Sequence, residues 1–273
     1  REVPREVMER VQLHHRTIGE SGPRVVFVHG LFGQGRNWTQ IAKAIAADGF
    51  RCTLLDAPDH GRSGWTDGFT YERATGIVAD ALAELAPGER WTLVGHSMGG
   101  KIGMLLALTR PELLDRLCVV DMSPRPSDAA SSFDTYVSAL QGLDLASLPD
   151  RASADARLAV TGVPEPSVRA FFLQNLRREG EGWAWQMNLD VIARDLAQLG
   201  AWPAPEATWD GPVLWLAGAK SDYVDEAAVP VMRGYFPRVR LVTVKDAGHW
   251  VHSERPQVVI EALRAFLRSP VAD

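Results

Sequence analysis

The sequence predicts an α/β protein, a mostly parallel sheet flanked by helices, with a helical insertion near its middle. Three observations carry this. Short β-branched-rich runs, apolar throughout and ending in turn residues, alternate with longer segments of helical spacing. The alternation stops between Ser123 and Trp209 and then resumes. A Gly-His-Ser-Met-Gly stretch, residues 95–99, stands where one apolar run ends and the next begins.

Taken in order, "RVVFVHG" (24–30), "RCTLLDA" (51–57), "WTLVGHS" (91–97) and "RLCVVDM" (116–122) read as strands. Runs apolar on both faces belong in the middle of a parallel sheet covered by helices on both sides. Between them, "NWTQIAKAIAADG" (37–49) and "TYERATGIVADALAELAPG" (70–88) have helical periodicity. The second places Ile77, Val78, Ala81, Leu82 and Leu85 on one stripe and stops at Pro87-Gly88. After the insertion come the strand "PVLWLAG" (212–218), a helical segment, the strand region "RVRLVTVKDAGH" (238–249), and a last helix from about Pro256 to Leu267. Residues 1–123 and 210–273 therefore form the core, and 124–209 the insertion.

The insertion is expected to be helical and free of strands. Prolines punctuate it in "SPRPS", "GVPEPS" and "WPAPEA", and it holds Phe133, Tyr136, Phe171, Phe172, Trp183 and Trp185. It begins directly after a strand's carboxyl end, where open α/β sheets bind ligands. That position favours a cap over one edge of the sheet rather than a helical subdomain with an ordinary core. Phe32, Phe171, Trp183 and Trp185 are accordingly the expected substrate-binding residues.

Composition narrows the function classes. The chain has 273 residues, 46% of them hydrophobic and 23% charged, which suits a soluble globular protein. Its formal net charge is −5 and no basic stripe is present, so nucleic acid is not an expected partner. Cys52 and Cys118 lie inside apolar runs and read as reduced core residues. No metal is expected, and no membrane span or signal segment is evident. A cytoplasmic location is the default reading, and the sequence leaves the oligomeric state open.

A strand running into Gly-x-Ser-x-Gly and then a helix is the nucleophile-elbow pattern. Ser97 would sit at the tip of a strained turn, with Gly95 and Gly99 leaving room for the neighbouring strand and helix. The backbone N–H of Met98 would face whatever the serine attacks, and a second N–H, from Leu31 with Phe32 next, would come from "VHGLFGQGRNW". A hydroxyl needs a base. Of seven histidines, His249 follows the last strand in a Gly-His loop and is preferred over its neighbour His252. His29 and His60 read as loop-bracing residues, His14 and His15 as surface ones, and His96 is expected to point away from the serine.

These motifs resemble a known group. "HGLFGQGRNW", "DAPDHGRSG", "VGHSMGGKIGMLLAL", "VVDMSP" and "GHWVHSERP" are similar, in order, to the α/β-hydrolase superfamily. The resemblance is to its serine-nucleophile esterase branch, namely YbfF-type bacterial esterases and mitochondrial abhydrolase-domain proteins. It implies Ser97 as nucleophile, His249 as base, and hydrolysis of a small-molecule acyl ester or thioester with no cofactor. In most of the superfamily the acid lies in Gly-x-x-Asp-x-x-Val after the insertion. Here "LAGAKSDYVDE" puts Ser221 at that position and Asp222 one residue late. The branch it resembles uses the aspartate of "VVDMSP", which implies Asp121 over Asp222. The same triad also serves acyl transfer to an alcohol, and a ligand receptor on the hydrolase scaffold is the alternative from another class.

Overall fold

The computed structural model describes residues 10–270. Along the chain run β1 (His15–Ile18), β2 (Arg24–Val28), α1 (Thr39–Ala47), β3 (Arg51–Leu55), α2 (Tyr71–Leu85), β4 (Trp91–His96), α3 (Met98–Thr109) and β5 (Leu114–Val120). The insertion follows with α4 (Ala129–Gln141), α5 (Arg151–Thr161), α6 (Pro166–Leu173), β6 (Leu176–Glu179), β7 (Gly182–Trp185), α7 (Leu189–Arg194) and α8 (Leu196–Gly200). The core closes with β8 (Val213–Gly218), α9 (Ala228–Tyr235), β9 (Val239–Val244), α10 (Val251–Glu254) and α11 (Pro256–Arg268).

Seven strands form the central sheet in the order β1-β3-β2-β4-β5-β8-β9. Only β1 is antiparallel, paired with β3. Side chains alternate across a strand, so one run feeds two cores. Val26 and Val28 of β2 join the layer under α2 and α3, whereas Val25 and Phe27 join the layer under α1 and α11. That explains why the strands read as unbroken apolar runs. Helix α11 is amphipathic and buries Val259, Ile260, Leu263 and Phe266. Cys52 and Cys118 are both free and buried, and burial pushes the Cys52 thiol up to about 12.

The insertion departs from the expected strand-free composition. Strands β6 and β7 make an antiparallel hairpin, with Glu179 paired to Gly182 around Gly180-Glu181. Gly180 has φ +58°, the left-handed conformation that a two-residue turn demands. Four residues per strand are too few to show a period, which is why the pattern is hard to read from sequence. The insertion is fastened to loops that follow the carboxyl ends of β2 and β3. Asn175 Nδ2 donates to the Phe32 carbonyl at 2.8 Å, and Asn188 Nδ2 donates to the Asp59 carboxylate at 2.8 Å.

Candidate active site

The turn between β4 and α3 puts Ser97 at φ +53°, ψ −115°, a positive φ that few residues other than glycine adopt. Two glycines make this turn possible. A Cβ on Gly95 would stand 2.2 Å from the Gly99 carbonyl oxygen, and one on Gly99 would stand 2.2 Å from that of Val28. Either side chain would force the strand, the turn and the helix apart.

Ser97, His249 and Asp121 come together from three separate strand ends. The Ser97 hydroxyl lies 3.0 Å from His249 Nε2, and His249 Nδ1 lies 2.6 Å from Asp121 Oδ2. The tautomer consistent with both contacts has Ser97 donating to Nε2 and Nδ1–H donating to the carboxylate. Asp121 is fully buried, at φ +49°. Its Oδ1 accepts from the Gly218 N–H at 2.9 Å, and its Oδ2 also accepts from the Ser221 hydroxyl at 2.5 Å. Asp222 is exposed and does not reach the histidine. The register count from Gly218 locates the right loop, but Ser221 contributes a hydroxyl donor there instead of the acid.

Four other histidines, His29, His60, His96 and His252, are structural by their contacts. His29 Nδ1 donates to the Gly30 carbonyl at 2.7 Å while Nε2 accepts the Ala57 N–H at 2.9 Å. His60 accepts the Phe32 N–H through Nε2 at 3.1 Å, and burial, with His29 nearby, pulls it down to about 4. His252 stacks on Trp38 at 4.2 Å, and burial takes it to about 3. His96 makes no bond to Ser97, yet its ring stands 4.7 Å from that of His249 and its Nε2–H donates to the His249 carbonyl at 2.8 Å. Desolvation holds it well below the ordinary histidine range.

This arrangement sorts the backbone donors. The Phe32 N–H is occupied by His60. Among the described residues no protein acceptor takes the N–H of Leu31 or of Met98. Both flank Ser97 and are free to face an oxyanion.

A narrow pocket opens onto Ser97, walled by Leu31, Phe32, His96, Phe133, Phe171, Phe172, His249 and Trp250. Phe32 and Phe171 line it. Trp183 and Trp185 do not line it. Trp183 lies on the hairpin with the Arg178 guanidinium 4.2 Å over its ring and Arg151 on it at 5.5 Å, and Trp185 pairs with Leu176 across the hairpin. Sequence reasoning omits Phe133, Phe172 and Trp250, and also Tyr223, whose ring stacks on His249 at 4.3 Å. Trp250 is the legible one, since it directly follows His249. Wider clefts, such as that beside Leu13, Arg73 and Glu84, contain none of these groups. Among the described residues no three His, Cys, Asp or Glu side chains gather as a metal site, and no helix is long and apolar enough to cross a membrane.

A serine on a strand-to-helix elbow, paired with a histidine and a buried carboxylate on a mostly parallel sheet, is the arrangement of an α/β hydrolase. The chain belongs to that family: residues 23–256 match the alpha/beta hydrolase fold. It is 37% identical over 250 residues to the mouse "sn-1-specific diacylglycerol lipase ABHD11", covering 90% of this chain and 81% of the relative. To the Escherichia coli "Esterase YbfF" it is 29% identical over 243 residues, covering 89% and 92%. The solved structure of a "Marine microorganism esterase" superposes with a TM-score of 0.90 at 29% identity, covering 94% of this chain and 99% of that one.

Proposed function

We propose that the protein hydrolyses carboxylic esters or thioesters of small acyl groups through an acyl-enzyme on Ser97. His249 Nε2 takes the hydroxyl proton as Ser97 Oγ attacks the acyl carbonyl, and Asp121 stabilises the resulting imidazolium. The N–H groups of Leu31 and Met98 hold the oxyanion. His249 then protonates the leaving alcohol or thiol, and the same groups activate water to release the acid. Residues 124–209 act as a cap whose Phe133, Phe171 and Phe172 wall the acyl chain.

The observation that carries this reading is the unbroken contact from Ser97 Oγ through His249 to buried Asp121, at 3.0 and 2.6 Å. The names of the relatives, a lipase and esterases, support it. A fluorophosphonate should label Ser97 alone and abolish turnover of p-nitrophenyl acetate. Ser97→Ala should lower kcat by roughly 10³-fold or more, since triad members act as a unit. Activity retained in that variant would end the serine-hydrolase reading. Adding a primary alcohol and measuring ester against free acid among the products separates hydrolysis from acyl transfer.

A further inference from the structure

Lys101 lies one turn beyond Ser97 on α3 and is fully buried. Among the described residues it has no carboxylate partner. Its ammonium donates instead to two backbone carbonyls where α8 ends, Gly200 at 3.0 Å and Ala201 at 2.9 Å. An unpaired cation is costly to bury, so a methionine of similar shape would fill the space more cheaply. What the charge secures is the neck of the insertion. The Gly200 carbonyl also accepts the Ser127 N–H at 2.7 Å, and Ser127 belongs to the segment by which the chain enters the insertion. A Cβ on Gly200 would lie 2.1 Å from the Ser127 carbonyl oxygen, so the two segments cross in direct contact. The lysine thus ties the departing segment directly to the elbow helix, and the entering one through Gly200.

The neck leads straight to the pocket wall. Helix α4 starts two residues after Ser127, packs on α8 and carries Phe133. Phe133 stands 6.2 Å from Phe32 by ring centres, and Phe172 stands 5.1 Å from Phe32. We propose that Lys101 is a positioning residue for acyl selectivity: by clamping the neck of the insertion to the elbow helix, it sets how close the aromatic wall stands to Ser97. The inference rests on the reading of Ser97 as nucleophile.

The clamp has a titration of its own. Burial lowers the Lys101 pKa to about 8. Helices α3 and α8 carry no other ionisable residue, and Asp134 and Tyr136 of α4 are exposed and turned onto Phe172 respectively. From α2 the Tyr71 ring faces the ammonium at 5.4 Å, its hydroxyl donating to the Leu199 carbonyl at 2.7 Å, and burial pushes that phenol up. Above the lysine's pKa the charge-assisted bonds become neutral and weaker, and the neck loosens.

The test compares kcat/KM for p-nitrophenyl octanoate with that for the acetate, from pH 6.5 to 9.5. A pH effect on the chemical step common to both esters cancels in the ratio. In the wild-type protein the octanoate-to-acetate ratio should rise by about fivefold or more across pH 8, a fraction of what an apolar wall can discriminate. Lys101→Met should show the raised ratio at every pH, and Lys101→Arg, cationic throughout, should keep it low. A ratio flat with pH in the wild type, or unchanged in Lys101→Met even with a lowered Tm, overturns the proposal. If Lys101→Met does not fold, the wild-type series and Lys101→Arg still decide it. Wild-type protein that fails to react with fluorophosphonate would instead show that the nucleophile reading is at fault.

Discussion

Asp121 is held by three donors, the Gly218 N–H, the Ser221 hydroxyl and His249 Nδ1. An amide in its place keeps the shape but favours the wrong imidazole tautomer. Asp121→Asn should therefore lower kcat by about 10⁴-fold. Asp222→Asn, at an exposed position, should leave kcat near the wild-type value, with circular dichroism confirming that both variants fold. A larger loss from Asp222→Asn would move the acid to the later strand. Spacing alone leaves this pair undecided, because both aspartates sit at strand ends facing one histidine loop. A one-residue step along the chain reverses where a side chain points, and only the folded loop shows which residue points inward.

At the level of elements, the insertion is where sequence and structure part. Its helices are legible, but the hairpin of β6 and β7 is not, and the hairpin carries Trp183 and Trp185 away from Ser97. Aromatic content points to the insertion, which supplies Phe133, Phe171 and Phe172 to the pocket wall. It does not say which rings face in, since that depends on how α4 and α6 pack on the Phe32 loop. Phe171→Ala should raise the octanoate-to-acetate kcat/KM ratio by about tenfold, within the ~1–3 kcal/mol per methylene that apolar walls exert. Trp183→Ala should leave that ratio unchanged and lower Tm, because its ring carries the Arg151 and Arg178 guanidinium contacts. A chain-length profile altered by Trp183→Ala would put the hairpin back into the pocket.

Across the whole molecule, the carboxyl ends of the strands collect His29, His60, His96 and His252, buried and held below their ordinary pKa. Desolvation leads in each case, and it sets the sign of the pH dependence. The unfolded chain takes up protons on these rings below pH ~6.5, whereas folded His60 and His252 wait until about 4 and about 3. Stability is therefore full above ~6.5 and falls as pH drops through that window, by up to about 1.4 kcal/mol per pH unit for each histidine. The urea midpoint should be clearly lower at pH 5 than at pH 7.5, and His252→Gln should reduce the difference. Equal midpoints at the two pH values would show that these rings take up protons in the folded state.

Local sequence was enough for the elbow, the alternation of strands and helices, and the histidine that follows the last strand. Each depends on residues adjacent in the chain: glycines that clear a crossing, runs apolar on both faces, a turn after a strand. Residue spacing left to the tertiary structure which carboxylate reaches His249, which of the insertion's rings wall the pocket, and that Lys101 clamps the neck of the insertion. These depend on contacts between segments 97 to 152 residues apart, where orientation follows from packing and not from spacing.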